Sequence, residues 1–153
     1  MLVFTLDSNQ IIKVDINLER TSSDAKYEYL VSSFHSKAIY GLDVCIKKQL
    51  FATCGGDRTV RIWSYNNLQQ YKMETYFQFE EAALCLALHP SGLHVIICFT
   101  DCVRLINILD NNLVEYHKIP KANCMQVKFS NGGHLFALMD GMSVFVYKFY
   151  TME

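Results

Sequence analysis

The sequence predicts an all-β chain built from one supersecondary unit copied along its length, and three observations carry that expectation. A self-comparison finds a period in the low forties: residues 38–65, 81–109 and 123–149 line up, with Val60, Val103 and Val144 in step and Trp63, Ile106 and Tyr147 spaced 43 and 41 apart. Inside each copy, short apolar runs alternate with a period of two, the spacing of a half-buried strand. Turns stand at equivalent places: polar Lys47-Lys48-Gln49, then the strong turn sequences His89-Pro90-Ser91-Gly92 and Ser130-Asn131-Gly132-Gly133. No stretch keeps an i, i+3, i+4, i+7 apolar face for three turns, so helices are not expected.

The elements follow in order. Residues 2–6 and 11–14 flank Asp7-Ser8-Asn9-Gln10 and predict a hairpin, with residues 26–34 as the outer strand of the same partial unit. In the first full copy, Tyr40, Leu42 and Val44 alternate with Gly41, Asp43 and Cys45 as a first strand. Residues 50–54 form a second, apolar strand. Gly55-Gly56-Asp57 breaks it, because glycine permits positive φ and aspartate bonds its own backbone. Residues 59–63 alternate again as a third strand, Asn66-Asn67 turns, and the tyrosine-rich stretch 69–77 predicts a fourth. The second and third copies repeat the pattern, with Leu93 and Leu135 aligned to Leu50. A copied unit of this length is that of a four-stranded propeller blade. Three copies and a partial fourth fall short of the four to eight blades of a closed ring, so an incomplete ring is expected.

Composition bounds the function. With 153 residues, 14 Lys+Arg against 15 Asp+Glu and a net charge of −1, the chain lacks the basic field of a nucleic-acid or acidic-membrane binder. Hydrophobic residues at 51% and charged residues at 19% exclude a disordered tail. No apolar run approaches the roughly 18 residues of a membrane helix, and the start MLVFTLDSNQ has no basic region followed by an apolar block, so no signal peptide is expected. Cys45, Cys54, Cys85, Cys98, Cys102 and Cys124 lie mostly inside strand-like runs and read as reduced core thiols. Cys98 and Cys102 near His94 lack the second matched ligand pair of a zinc site, and no metal or cofactor is expected. GGD and NGG have no following Lys-Ser/Thr and helix, so they are turns rather than phosphate loops. His89 reads as a turn residue. Lys37, Lys47, Lys48, Arg58 and Arg61 read as an exposed basic rim, and Tyr65, Tyr71, Tyr76, Phe77 and Phe79 as an aromatic outer stretch.

The run ATCGGDRTVRIWS, with His35 ahead of the first strand, resembles a WD40 repeat. WD40 blades carry a histidine before the first strand, a Ser/Thr on the second, an Asp in the next turn and a Trp on the third. His35, Thr53, Asp57 and Trp63 stand at those places, with Phe34 for the usual glycine and Ser64 for the final Asp. The resemblance implies a structural tetrad in which each buried polar group finds a partner, and no nucleophile or oxyanion donors accompany it. It also implies a partial blade over residues 1–34, a blade over 35–77, and degenerate blades over 78–119 and 120–153, the last with its outer strand truncated. The degenerate units carry Gln78, Thr100 and Ile106, then Pro120 and Tyr147, at tetrad positions.

The strings FHSKAIYGLDVC, ATCGGDRTVRIW, LHPSGL and FSNGGHLFA resemble the cilia- and flagella-associated protein 57 family over roughly residues 34–140. That resemblance implies a non-enzymatic scaffold of the motile ciliary axoneme, helping to dock inner dynein arms or regulatory complexes on doublet microtubules. Its implied partners are proteins: further WD40 blades in the same or another chain, dynein-associated proteins and tubulin, with Lys37 and Arg58 as a rim for partner contact. The implied site is the cytoskeleton of the cilium or flagellum, with no nucleic acid, membrane or cofactor. A general intracellular WD40 adaptor for protein-complex assembly is the alternative.

Overall fold

The computed structural model describes residues 2–5, 11–14, 27–31, 34–67, 71–109 and 112–152. The chain divides into two compact units, Met1–Ser36 and Lys37–Glu153. The first holds one antiparallel sheet of three strands, β1 (Leu2–Thr5), β2 (Ile11–Val14) and β3 (Tyr27–Val31), in that order. The turn expected over residues 7–10 lies outside the described residues.

The second unit holds three antiparallel sheets. β4 (Ile39–Val44), β5 (Leu50–Gly55), β6 (Thr59–Tyr65) and β7 (Tyr71–Gln78) form the first, in sequence order. β8 (Cys85–Leu88), β9 (His94–Cys98), β10 (Val103–Leu109) and β11 (Asn112–Ile119) form the second in the same arrangement. β12 (Gln126–Phe129), β13 (Leu135–Met139) and β14 (Val144–Lys148) form the third. Each sheet is an antiparallel meander of strands that are neighbours in sequence. The described residues form no helix, and the architecture is that of an open propeller segment.

Register aligns the copies residue by residue. Phe51 pairs Trp63, Val95 pairs Ile106, and Phe136 pairs Tyr147. Likewise Leu50 pairs Ser64, His94 pairs Asn107, and Leu135 pairs Lys148. The second unit's counterpart of Leu50 is therefore His94, and the expected alignment of Leu93 is one residue off. The reason is the hairpin: Cys45, His89 and Ser130 each donate their backbone N–H to the carbonyl of the residue five further on. That bond sets the register, and it leaves Leu93 49% exposed.

Two cores follow from strand alternation. One face of the first sheet, with Ala52, Cys54, Val60 and Ile62, packs on Leu86, Leu88, Val95, Ile97 and Phe99 of the second. The opposite face of the second sheet, with Cys85, Ala87, Ile96, Val103 and Leu105, packs on Val127, Phe136 and Leu138 of the third. Successive residues of an inner strand thus serve successive interfaces. Both complete sheets carry a β-bulge at the same place, between Ile62 and Trp63 against β7 and between Leu105 and Ile106 against β11.

Candidate functional site

Trp63 is fully buried and Thr53 is 1% exposed, and the indole Nε1–H donates to Thr53 Oγ1 at 2.9 Å. Phe51 stacks on the indole at 5.8 Å and Tyr71 meets it edge-on at 6.0 Å. Asp57 sits in the β5–β6 turn, where Oδ1 accepts from the Thr59 N–H at 3.1 Å and its hydroxyl at 2.8 Å. Arg61 closes the cluster, with Nε donating to Thr59 Oγ1 at 3.1 Å and Nη2 facing Asp57 Oδ2 at 3.5 Å. His35 is half-buried and belongs to the first unit. Thr53, Asp57 and Trp63 belong to the second.

Arg61 is not part of the exposed rim. Its side chain keeps 11% exposure, because the Asp57 carboxylate holds the guanidinium against the turn. Burial pulls its basicity down, and Asp57 opposes that shift. Lys37 and Arg58 are exposed. The Gly56 N–H donates to the Ala38 carbonyl at 2.8 Å, which holds the segments bearing those two cations side by side. Arg58 takes φ of 64°, anchored by backbone bonds to Gly55 and Phe79. In the aromatic stretch, Tyr65, Tyr71, Tyr76 and Phe77 remain exposed, while Phe79 is buried against Phe99 at 4.9 Å.

Two residues carry more than their sequence context suggests. His89 is 5% exposed and spans two sheets. Its Nδ1 accepts from the Ser91 N–H at 3.1 Å, so the ring proton lies on Nε2, which donates to the Gly133 carbonyl at 3.2 Å. Phe149 stacks on the ring at 4.7 Å. Burial lowers its pKa most; the Gly133 bond opposes this, and His94, Lys47 and His134 add repulsion. The signal in sequence was Gly133, whose lack of a Cβ leaves room for the ring. Arg104, aligned with Arg61, lays its guanidinium over Phe99 at 4.7 Å and faces Glu115 at 3.5 Å.

All six cysteines are free and buried. Cys85 and Cys98 face each other across β8 and β9. A thiol hydrogen bond between them lowers Cys85 and raises Cys98, and burial pushes Cys54 up to about 12. Among the described residues no group of three or more His, Cys, Asp or Glu side chains is placed to hold a metal ion.

Comparison with known proteins gives three findings. Residues 28–64 match the WD40 family, described as WD domain, G-beta repeat. Cilia- and flagella-associated protein 57 A of Tetrahymena thermophila is 43% identical over 99% of this chain, and the mouse cilia- and flagella-associated protein 57 is 36% identical over the same share. The chain spans 12% of the length of each of these curated relatives. The crystal structure of Saccharomyces cerevisiae Sqt1 superposes with a TM-score of 0.60 at 15% identity, covering 75% of this chain and 32% of that one. The likeness to Sqt1 shows the fold alone.

Proposed function

This WD40-repeat chain is similar over 99% of its length to cilia- and flagella-associated protein 57, and from that premise we propose that it is a non-enzymatic scaffold of the motile ciliary axoneme. In this reading it helps dock inner dynein arms or regulatory complexes on doublet microtubules, through protein contacts that include dynein-associated chains and tubulin. The observation that carries it is an identity of 34–43% to three relatives with that ciliary name, in matches that cover 99% of this chain.

Local geometry supports a binding role. The best-registered polar residues of the second unit, Thr53, Asp57 and Arg61, are engaged with their own neighbours. Rigid sheets with outward loops suit partner binding. We assign His35, Thr53, Asp57 and Trp63 to a structural tetrad, and Lys37 and Arg58 to the contact rim. The units run over residues 1–34, 35–77, 78–119 and 120–153 in this reading.

The experiment is localisation of the tagged chain in ciliated cells, followed by salt extraction of axonemes. Retention in the axoneme, weakened in the Lys37→Glu/Arg58→Glu double variant, supports the proposal. A double variant that resists salt as well as the parent removes the rim. A parent that never enters cilia removes the axonemal assignment and leaves the general WD40 adaptor.

A further inference from the structure

The thiols divide between the two cores of the second unit. Cys45, Cys54 and Cys102 lie between the first and second sheets, and Cys85, Cys98 and Cys124 between the second and third. Within the second group, strand register singles out one pair. Cys85 opens β8 and Cys98 ends β9, and the two stand directly opposite in the antiparallel pairing. No other two cysteines are register partners among the described residues. Side chains directly opposite across such a pair have Cβ atoms about 4.5–5.5 Å apart, and a disulfide takes about 3.5–4.5 Å, so closure asks for an approach of about 1 Å. β8 can supply it, because it is an edge strand, bonded to β9 on one side only.

The nearby thiols are turned away from this pair. A Cβ on Gly41 would stand 2.9 Å from Cys54 Sγ and 3.4 Å from Cys85 Cα. Cys54 thus approaches β8 from the face opposite the Cys85 side chain. Cys124 offers its carbonyl to the Cys85 thiol at 3.7 Å, while its own Sγ turns to the Lys121 carbonyl at 4.0 Å.

The two sulfurs differ in access and in polarity. Cys85 is 9% exposed and Cys98 is sealed. The bond from the Cys98 thiol lowers the Cys85 pKa most; burial opposes it, and a backbone bond from Val127 adds to the lowering. The same thiol bond, then burial, raises Cys98. The thiolate is the reactive form of a cysteine, so an oxidant the size of water meets the better nucleophile at the more accessible sulfur.

We propose that Cys85 and Cys98 are a peroxide-oxidisable dithiol, a modification site that closes into a disulfide between β8 and β9. In the first step the Cys85 sulfur attacks one oxygen of hydrogen peroxide. The O–O bond breaks, the other oxygen leaves as hydroxide and takes up the thiol proton as water, and Cys85 becomes a sulfenic acid. In the second step the Cys98 sulfur attacks the sulfenic sulfur. The S–S bond forms, and the displaced hydroxyl leaves with the Cys98 proton as a second water. Each sulfur gives up one electron and each peroxide oxygen gains one. Exchange with a small thiol reverses the reaction. The disulfide has no S–H, so the bond from Cys85 to the Cys124 carbonyl is lost, and oxidation is felt at the seam between the second and third sheets.

Peroxide treatment of the full chain tests the proposal. Remaining thiols are blocked with N-ethylmaleimide in denaturant, and peptic peptides are mapped by mass spectrometry without reduction. The expected product joins positions 85 and 98, is lighter than the reduced pair by two hydrogens, and reverts with dithiothreitol. Peroxide added after denaturation should give no preference for that pair. Cys98→Ser should leave a Cys85 sulfenic acid that dimedone traps, whereas Cys85→Ser should leave Cys98 unlabelled. The measurement on the parent needs neither variant to fold. Linkage of another pair, Cys85 carried to higher oxidation states without linkage, or thiols all still free after treatment overturns the proposal. The same preference in denaturant overturns selection of the pair by the fold, and dimedone on Cys98 in place of Cys85 overturns the order of the two steps.

Discussion

Trp63 and Tyr147 hold the same register position under different conditions. Trp63 is sealed, stacked on Phe51 and bonded to Thr53. Tyr147 is half-buried and stacks on Phe136 at 5.3 Å. Trp63→Ala should lower stability by about 3–5 kcal/mol, the usual range for emptying a buried aromatic site. Tyr147→Ala should cost less, and denaturant midpoints of the two variants check the order; equal losses would deny the first sheet its special place. His89 gives a second prediction. Folded, its pKa lies below 6.5, chiefly because of burial. Unfolded, it binds a proton near pH 6.5. The unfolded state therefore takes up more protons between the two values, and stability is complete above about pH 6.5 and declines as pH falls below it. Protonation also ends acceptance by Nδ1 of the Ser91 N–H. Chemical denaturation from pH 7.5 to 5 should show this decline, with a shallower slope in His89→Gln.

At the scale of elements, glycine turns join sheet to sheet. A Cβ on Gly133 would lie 2.2 Å from His89 Nε2, whereas one on Gly141, also at positive φ, meets nothing within 4 Å. Gly141→Ala should cost about 1–2 kcal/mol, from backbone conformation alone. Gly133→Ala should cost clearly more, and thermal melts of both variants separate the backbone contribution from the interface contribution. The contrast also marks what sequence could tell. Strands and turns were legible because alternation and turn chemistry are local; the expected third strand, residues 59–63, lies inside β6. Register was less so: apolar identity favoured Leu93 where a hairpin hydrogen bond selects His94. His89 beside Pro90-Ser91-Gly92 looked like turn chemistry, and its ring packs on Gly133 and Phe149, 44 and 60 positions away, which no local pattern names. Arg61 looked like a rim cation because it stands among other bases in the sequence, and its ion pair with Asp57 across the turn is a matter of side-chain geometry. Thr53 and Trp63 lie on neighbouring strands, diagonal across the β5–β6 pairing, and the indole reaches the hydroxyl because that register puts both on one face.

For the whole molecule, an uncovered apolar sheet face predicts poor solution behaviour. Sedimentation velocity of the purified chain should show association, and Val144→Lys with Val146→Lys should shift it toward monomer, since both side chains already face solvent. A parent that sediments as one sharp monomer would contradict this. The register that aligns the copies has a further consequence at Asp43, Ala87 and Lys128, which pair with Ala52, Ile96 and Ala137. At this position the three sheets differ in electrical character: an acceptor, a neutral methyl, then a donor. Duplicated units of one shape would otherwise be interchangeable, free to insert out of turn or to trade places between neighbouring chains during synthesis. At the first junction the Asp43 carboxylate accepts the Leu88 N–H, so a misplaced neighbour without a donor there would leave a charge unmatched. Recombination within such a gene would then be constrained: shuffling the copies would preserve every strand and still spoil the fit.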